Sequence, residues 1–234
     1  MQLVLVHGAW FAGWTWSRVA DDLRSRGHSV HVVEQLPSGA DDPAARGDLA
    51  ADVAHVRSVL DGVDSDDGVD SDDGVVLVGH SYGGIVTGEL AAHPRVRHSV
   101  FVAAFRPSAG KSLSDVRSPH PVEWIEARED GSLHVTADQA VARDVLAADL
   151  DEAAFADVHA RRNGHAAITF AQPATAPAPA HPVTYVLCAR DRAIFPADQE
   201  RMATGVDHLV RLDATHMAPL THPAQLAGLL ASVR

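Results

Sequence analysis

A serine between two glycines, at the end of an apolar run, is the feature that most restricts the fold of this 234-residue chain. Ser81 lies in the sequence Gly-His-Ser-Tyr-Gly at 79–83, directly after the apolar residues 75–78 and before a stretch of helical character. Such a sequence between a buried strand and a helix is typical of a sharp turn that raises the serine hydroxyl above the edge of a sheet. Glycines suit this turn because they let chain segments pass closely. We therefore predict a strand, a strained turn at Ser81 and a helix.

Short apolar runs alternate with segments of helical periodicity along most of the chain. The predicted strands are 3–6, 30–33, 75–78, 100–103, 183–187 and 208–212. The predicted helices are 15–26, 49–60, the segment from the glycine-flanked turn to about 92, 197–204, and a last one that ends near 233. Continuous apolar strands that alternate with helices predict an α/β fold, in which a mostly parallel sheet has helices on both faces.

One long segment interrupts this alternation. Residues 106–181 begin with a turn that contains proline and glycine and end with a linker rich in proline and alanine, and helices are predicted around 138–147 and 151–161. We expect a core formed by 1–105 and 182–234, with 106–181 inserted as a helical lid. A lid that excludes water from a reacting serine would bring some of its apolar residues near that serine.

A tandem duplication at 62–73 repeats the hexapeptide Gly-Val-Asp-Ser-Asp-Asp. This composition predicts a solvated loop. A calcium site is the alternative, since alternate aspartates can supply oxygen ligands. However, the glycine is misplaced for an EF-hand loop and the terminal glutamate is missing, so we favour the loop.

Charge and cysteine content restrict the partners and the compartment. The formal net charge of −12 argues against a nucleic-acid or anionic-membrane partner, because a phosphate surface would repel the protein. Cys188 is the single cysteine, which excludes an intramolecular disulfide, and we interpret it as a buried thiol at a strand end. The apolar start, residues 1–6, is too short for a signal peptide or a membrane span. We therefore expect a cytoplasmic protein.

A serine hydroxyl is a weak nucleophile unless a base takes its proton, and in this type of fold an acid and then a histidine follow the serine along the chain. Of 15 histidines, His216 alone lies in the loop between the last predicted strand and the last helix, where an imidazole can reach the turn. Asp191 follows the next-to-last predicted strand and would orient that imidazole. Asp198 and Asp213 are the alternative acids, and we interpret them as solvated or capping residues. The predicted catalytic residues are Ser81, His216 and Asp191.

Negative charge that develops on a carbonyl oxygen needs hydrogen-bond donors, which we predict to be the backbone N–H groups of Ala9 and Tyr82. Tyr82 follows the serine, and Ala9 lies in the loop after the first predicted strand. We interpret His7 as a residue that organises this loop and His80 as a packed, neutral histidine. No histidine pair has the helical spacing of a zinc site, so we expect no metal.

Residues that flank these positions in the sequence are candidates for the substrate pocket. They are Trp10, Phe11, Trp124, Phe195 and Met217. An apolar lining of this kind predicts a small or medium hydrophobic acyl or alcohol group. The lining does not distinguish ester hydrolysis from acyl transfer or from cleavage of a C–C bond.

Four segments together resemble the α/β-hydrolase superfamily, namely His7 to Trp16, Gly79 to Gly84, Asp191 to Pro196 and Thr215 to Met217. More narrowly, they are similar to the branch that contains plant methyl esterases of the salicylate-binding type, hydroxynitrile lyases and bacterial relatives. The resemblance implies an α/β-hydrolase fold with the triad and the oxyanion donors described above. It also implies that no cofactor is needed, and it leaves a homodimer open because many members are dimers.

Two positions depart from the hydroxynitrile lyases of this branch. Those enzymes place a lysine after the catalytic histidine and a threonine after the first histidine, where this chain has Met217 and Gly8. A lysine ammonium would stabilise departing cyanide, and methionine cannot. We therefore expect a carboxylic ester hydrolase, similar to a methylesterase, that acts on a small-molecule ester through an acyl-enzyme. The alternatives are an acyltransferase, a C–C bond hydrolase or lyase on the same triad, and a ligand-binding protein with little turnover.

Overall fold

The computed structural model describes residues 1–63, 74–120 and 122–233. Six strands form its main sheet: β1 (Gln2–Val6), β2 (Ser29–Val32), β3 (Val75–His80), β4 (Val96–Val102), β8 (Val183–Cys188) and β9 (His208–Leu212). Every neighbouring pair is parallel, and the order across the sheet is β2-β1-β3-β4-β8-β9. The predicted α/β fold with a mostly parallel sheet is therefore confirmed.

The inner strands β1, β3 and β8 are buried on both faces, which explains why their sequences are almost continuously apolar. Along β1, Leu3 and Leu5 belong to one buried cluster, whereas Val4 and Val6 belong to another, because successive side chains of a strand point to opposite faces. Helices α1 (Ser17–Ser25) and α10 (Pro223–Ala231) cover the first face. The second face is covered by α2 (Leu49–Asp61), α3 (Gly83–Glu89) and α8 (Pro196–Met202).

The segment between β4 and β8, which we call the insertion, adds short helices and a second sheet. Its elements are α4 (Leu113–Val116), β5 (Ile125–Ala127), β6 (Ser132–Val135), α5 (Gln139–Leu146), α6 (Glu152–Ala160), β7 (His165–Ala166) and α7 (Ile168–Ala171). Strands β5, β6 and β7 form an antiparallel sheet. Trp124 and Phe155 of the insertion share a buried cluster with Val4 of the main sheet, so the insertion packs directly on the core.

The antiparallel sheet of the insertion is a feature that the sequence did not predict. Its strands are two to four residues long, and polar residues such as Glu126 and His134 interrupt any apolar pattern. The register pairs these two residues with each other across β5 and β6. Strands this short leave no periodic signal in the sequence, because pairing and burial, not local preference, determine them.

The helices of the main fold lie where the sequence predicts them, apart from differences at their ends. The predicted helix 15–26 begins as a 3-10 turn at Gly13–Trp16 and continues as α1. Helix α3 ends at Glu89, short of the predicted end near 92. A short α9 (Ala218–Thr221) precedes α10. Within the described residues, no helix has both the length and the apolar character that crossing a lipid bilayer requires.

The duplication at 62–73 lies almost entirely outside the described residues, which omit 64–73. The solvated loop and the calcium site therefore both stay predictions for this segment. Helix α2 ends at Asp61, directly before the duplication, and β3 begins two residues after it at Val75.

Candidate active site

Ser81 lies at the turn between β3 and α3 in the left-handed backbone region, with φ of 53°. This conformation is strained for any residue with a side chain. Close approach explains the neighbouring glycines: a Cβ at Gly79 would lie 2.5 Å from the Gly83 carbonyl oxygen, and a Cβ at Gly83 would lie 2.6 Å from the His7 carbonyl oxygen. The structure thus has the strand, strained turn and helix that the sequence predicts.

Two loops at the same edge of the sheet bring a histidine and a carboxylate to Ser81. His216 lies between β9 and α9, and its Nε2 is 3.0 Å from Ser81 Oγ. Its Nδ1 is 2.8 Å from Asp191 Oδ2, in the loop after β8. All three side chains are buried. When Nδ1–H donates to Asp191, Nε2 is free to accept the hydrogen bond of the Ser81 hydroxyl.

Three further donors hold the Asp191 carboxylate in place. Its Oδ1 accepts hydrogen bonds from the backbone N–H groups of Ala193 at 2.8 Å and Ile194 at 2.9 Å. Its Oδ2 accepts a third from the side-chain amide of Gln199 at 2.9 Å. Gln199 is fully buried on α8, and its Oε1 accepts a hydrogen bond from the Cys188 N–H at 3.0 Å. Gln199 therefore ties the carboxylate to the end of β8.

The two alternative acids have other partners. Asp198 is buried on α8, accepts a hydrogen bond from the Ser118 N–H at 3.0 Å and forms an ion pair with Arg201. Asp213 forms an ion pair with Arg190 at 2.8 Å. The structure thus brings neither of them into the position that Asp191 occupies.

His7 and His80 are buried beside the turn and organise its backbone. Burial lowers the pKa of His7 to about 4 and that of His80 to about 3, so both imidazoles are neutral at pH 7. The His80 Nε2–H donates to the His216 carbonyl oxygen at 2.9 Å. His7 Nε2 accepts from the Leu36 N–H at 3.2 Å, and its Nδ1–H donates to the Gly8 carbonyl oxygen at 2.8 Å. In the described part of the chain, no cluster of three or more His, Cys, Asp or Glu is arranged to hold a metal ion.

The two predicted oxyanion donors belong to segments that lie next to Ser81. A Cβ at Gly8 would be 2.8 Å from the Ser81 Cβ, so the chain directly before Ala9 passes against Ser81. Tyr82 follows Ser81 at the start of α3, where backbone N–H groups have no partner within the helix. Both placements fit the predicted role.

A cavity of about 240 Å³ opens at Ser81 and His216. Much of its wall is aromatic or aliphatic and comes from the insertion. Its large apolar members are Trp10, Phe105, Trp124, Ile125, Leu133, Phe170 and Ile194. The Trp10 ring lies edge-on to Trp124 at 5.2 Å between centroids and stacks on Phe170 at 5.7 Å. Ser81 therefore faces a small, mostly apolar space.

The sequence profile described as "Alpha/beta hydrolase family" matches residues 3–229. The chain belongs to this family. The match includes both the main sheet and the insertion, and it contains Ser81, Asp191 and His216. The resemblance to α/β-hydrolases seen in the sequence is thereby confirmed.

Curated relatives of this α/β-hydrolase include esterases. The chain is 34% identical over 137 residues to a carbendazim hydrolyzing esterase from a Nocardioides strain, an alignment that covers 57% of this chain and 54% of the relative. It is also 34% identical over 129 residues to methylesterase 2 of Arabidopsis thaliana, over 52% of this chain and 48% of the relative. The chain thus spans about half the length of these curated relatives.

Solved α/β-hydrolase structures match almost the full length of the chain. A pyrethroid hydrolase from Sphingobium faniae aligns with a TM-score of 0.81 and 20% identity, over 99% of this chain and 96% of that one. Polyneuridine aldehyde esterase aligns with a TM-score of 0.80 and 18% identity, over 98% and 97%. At these identities the likeness shows a common fold alone.

Of the five predicted pocket residues of this α/β-hydrolase, Trp10 and Trp124 line the cavity. Trp10 follows the first strand in the left-handed backbone region, with φ of 64°. Its indole Nε1–H donates to the Leu133 carbonyl oxygen of the insertion at 3.0 Å. Trp10 therefore joins the loop after β1 to the second sheet as well as closing one side of the cavity.

Phe11, Met217 and Phe195 do not line the cavity, which corrects the sequence prediction. Phe11 packs edge-on against Trp14 within the buried core, with 6.0 Å between ring centroids. Met217 is buried, and its N–H donates to the Leu146 carbonyl oxygen at 2.9 Å. Phe195 is 38% exposed. Adjacency in the sequence failed here because neighbouring side chains in these loops point in different directions.

Several residues around the site have no motif that would have identified them. Phe105 follows β4, so its position at the carboxyl end of a strand was the one available signal. Phe170 reaches the cavity from the insertion, whose course the sequence does not determine. The hydrogen bond of Gln199 to Asp191 and that of Tyr82 to Asp52, at 2.6 Å, both join segments that are distant in the sequence.

Proposed function

We propose that this α/β-hydrolase is a serine hydrolase that cleaves a small or medium hydrophobic carboxylic ester through an acyl-enzyme. The observation that carries the proposal is the continuous chain of hydrogen-bonding atoms from Ser81 Oγ through His216 to Asp191, with distances of 3.0 Å and 2.8 Å. The esterase names of the curated relatives support the same chemistry.

Acylation would begin when Ser81 Oγ attacks the ester carbonyl carbon while His216 Nε2 takes the hydroxyl proton. The C=O double bond opens to an oxyanion, to which the N–H groups of Ala9 and Tyr82 would donate. The Asp191 carboxylate stabilises the imidazolium that forms. His216 then returns the proton to the ester oxygen, the C–O bond breaks and the alcohol leaves, with the acyl group bound to Ser81.

Deacylation would repeat these steps with water as the nucleophile. His216 takes a proton from water as its oxygen attacks the acyl carbon, and the same N–H donors bind the second oxyanion. The bond to Ser81 Oγ breaks, His216 protonates that oxygen and the carboxylic acid leaves. The free enzyme is restored without an oxidant, a reductant or a cofactor.

The cavity supports a small substrate. Its volume of about 240 Å³ is below the usual range for drug-sized ligands, which begins at about 300 Å³. Its apolar wall would favour an aliphatic or aromatic group and would keep water away from the imidazolium and the oxyanion. We therefore assign the cavity to either the acyl group or the alcohol group of the ester, and the rest of the substrate would extend toward solvent.

Fluorophosphonate labelling tests for an activated serine. We expect the wild-type protein and Ser114→Ala to be labelled, and Ser81→Ala to stay unlabelled. Ser114 is the matched control because it lines the same cavity but lies on α4 in the insertion. A peptide map that places the label on another residue, or no label on a folded wild-type sample, would contradict the proposed mechanism.

Hydrolysis of p-nitrophenyl esters tests the substrate class. We expect turnover of short and medium acyl chains, with a loss of at least about a thousandfold in kcat for Ser81→Ala and for His216→Ala, because triad members act as a unit. If Ser81→Ala keeps the wild-type rate, the acyl-enzyme mechanism is wrong.

A further inference from the structure

Among the described residues that line the cavity at Ser81 and His216, Arg117 is the one that carries a permanent charge. The rest of the wall is apolar apart from Ser114 and the catalytic side chains. A permanent charge on an apolar wall costs solvation free energy unless a partner or water compensates it. Arg117 is half-buried and follows α4 directly.

The Arg117 guanidinium has no carboxylate partner among the described residues. Its Nη1–H donates to the His120 carbonyl oxygen at 3.2 Å, and none of the ion pairs in the described ranges includes it. Two arginines of the adjoining cavities are paired, since Arg192 contacts Asp144 and Arg201 contacts Asp198. Most of the donors of Arg117 are thus available to a ligand.

The acidic residues near Arg117 do not neutralise it. Asp115 accepts hydrogen bonds from the Ser112 N–H and hydroxyl, both at 2.8 Å, as a helix cap. Glu123 lines the outer groove together with Arg117 but forms no ion pair with it within the described structure. Arg117 is therefore the one permanently charged side chain among the described residues that line the cavity at Ser81, on a protein whose net charge is −12.

Arg117 also lies where three cavities meet. It lines the cavity at Ser81, a larger neighbouring cavity of about 600 Å³ and an outer groove of about 490 Å³. The outer groove shares Val122, Trp124 and Ala193 with the cavity at Ser81. A substrate that reaches Ser81 from this groove passes the Arg117 side chain.

We propose that Arg117 binds an ionised carboxylate of the substrate and that the preferred substrate is an ester with a second, free carboxylate, such as the monoester of a short dicarboxylic acid. The planar guanidinium matches a carboxylate with two parallel N–H···O hydrogen bonds. A phosphate dianion would call for more than one cation, and Arg117 is the single cation in the wall as described. This inference rests on the proposed esterase function and adds a determinant of specificity to it.

Two esters that differ in one terminal group test the proposal. They are mono-p-nitrophenyl glutarate, which has a free carboxylate, and p-nitrophenyl valerate, which has a methyl group at that end. Because a charge-assisted pair contributes more than a neutral hydrogen bond, Arg117→Gln should lower kcat/KM for the glutarate ester at least about tenfold and leave valerate hydrolysis nearly unchanged. Arg117→Lys should restore part of the loss, since it keeps the charge but not the planar fork.

Arg18→Gln is the matched control. Arg18 is exposed on α1, outside the lining of all three cavities, and its replacement changes the net charge by the same amount. We expect it to leave the ratio of the two kcat/KM values unchanged. An equal loss on both esters in Arg117→Gln, or no loss on either, would overturn the proposal, because a merely structural Arg117 would affect both substrates alike.

Inhibition of the wild-type protein gives a readout that does not depend on folding of a variant. Glutarate should inhibit the hydrolysis of p-nitrophenyl valerate more strongly than uncharged glutaramide at the same concentration. Equal or weaker inhibition by glutarate overturns the role of Arg117. A wild-type protein that neither hydrolyses valerate nor takes the fluorophosphonate label would instead refute the proposed function, and this inference with it.

Discussion

The Tyr82 hydroxyl donates a hydrogen bond of 2.6 Å to Oδ2 of Asp52, a fully buried carboxylate on α2. Oδ1 of the same carboxylate accepts from the Ser38 N–H at 2.8 Å. Tyr82 is also the residue whose backbone N–H we assign to the oxyanion. The contact therefore fixes the chain directly after Ser81 to a helix on the second face of the sheet.

Removal of the Tyr82 hydroxyl should destabilise the fold. In Tyr82→Phe the buried Asp52 Oδ2 loses its donor, which we expect to cost about 1–3 kcal/mol in the free energy of unfolding. Tyr185→Phe is the matched comparison, because the buried Tyr185 hydroxyl donates to a neutral acceptor, the Ala104 carbonyl oxygen, at 2.6 Å. Denaturant unfolding should show a larger loss for Tyr82→Phe; a smaller one would mean that Asp52 finds another donor.

The Asp52 carboxyl should also affect how stability depends on pH. Burial raises its pKa above the ordinary value of 3.8, so the folded state holds its proton at a pH where the unfolded chain has lost it. The contribution of Asp52 to folding stability is thus greatest below its unfolded pKa, and it is lost as the pH rises through its folded pKa. We expect Asp52→Asn to gain stability relative to the wild type as the pH rises above the ordinary carboxyl pKa of 3.8. A constant difference between the two proteins would contradict the raised pKa.

Gln199 should act as a positioning residue for Asp191. Gln199→Met keeps the approximate volume but removes the donor to Asp191 Oδ2 and the acceptor of the Cys188 N–H. We expect kcat for a p-nitrophenyl ester to fall about 10- to 100-fold with little change in KM, since partners that orient a functional group act on chemistry and not on substrate contact. Asp198→Asn, one position earlier on α8, is the control and should leave kcat of the folded protein nearly unchanged. A rise in KM alone would contradict this role.

Three buried histidines should make the fold sensitive to acid. Burial lowers the pKa of His7 to about 4 and those of His80 and His165 to about 3, against 6.5 for the ordinary side chain. Below pH 6.5 these histidines bind protons in the unfolded chain but not in the folded state. The stability that they contribute is therefore fully present above that pH and is lost as the pH falls toward the folded pKa values. Each histidine should contribute a slope of about 1.4 kcal/mol per pH unit within this window.

Guanidinium unfolding at a series of pH values checks this sensitivity. We expect His165→Asn to reduce the slope of stability against pH, because one excluded proton is removed. His208→Asn is the control, since His208 is exposed at the start of β9 and should leave the slope as it is. Equal slopes in the wild type, His165→Asn and His208→Asn would show that the pKa of His165 is not lowered.

The main sheet and the placement of the site residues could be predicted because both follow from short-range rules. Parallel strands end at one edge of the sheet, so the loops after β3, β8 and β9 had to meet there. The chain order of Ser81, Asp191 and His216 then identified which polar residues those loops would present, and the structure brings them within hydrogen-bonding distance. The glycines around Ser81 allowed the strained turn to be predicted as well.

The wall of the cavity could not be predicted, because it depends on how the insertion folds back. Leu133 reaches the cavity through the antiparallel pairing of β6, and Phe170 through the short α7. No sequence motif places either residue at a characteristic spacing from Ser81. Asp52 was missed for a related reason: it lies on the buried side of an amphipathic helix, where a carboxylate is unexpected unless a partner from elsewhere is known.

Trp124 should limit the length of the acyl chain that the enzyme accepts. Its side chain is nearly buried between the cavity and Trp10, so Trp124→Ala would enlarge the space in front of Ser81. We expect kcat/KM for a long p-nitrophenyl acyl ester to rise relative to a short one by at least about tenfold, since each buried methylene contributes about 1 kcal/mol to discrimination. Trp14→Ala is the matched control: Trp14 is half-buried outside the cavity, beneath the Arg161 guanidinium at 3.7 Å. If both variants shift the chain-length profile alike, or neither does, Trp124 does not set this limit.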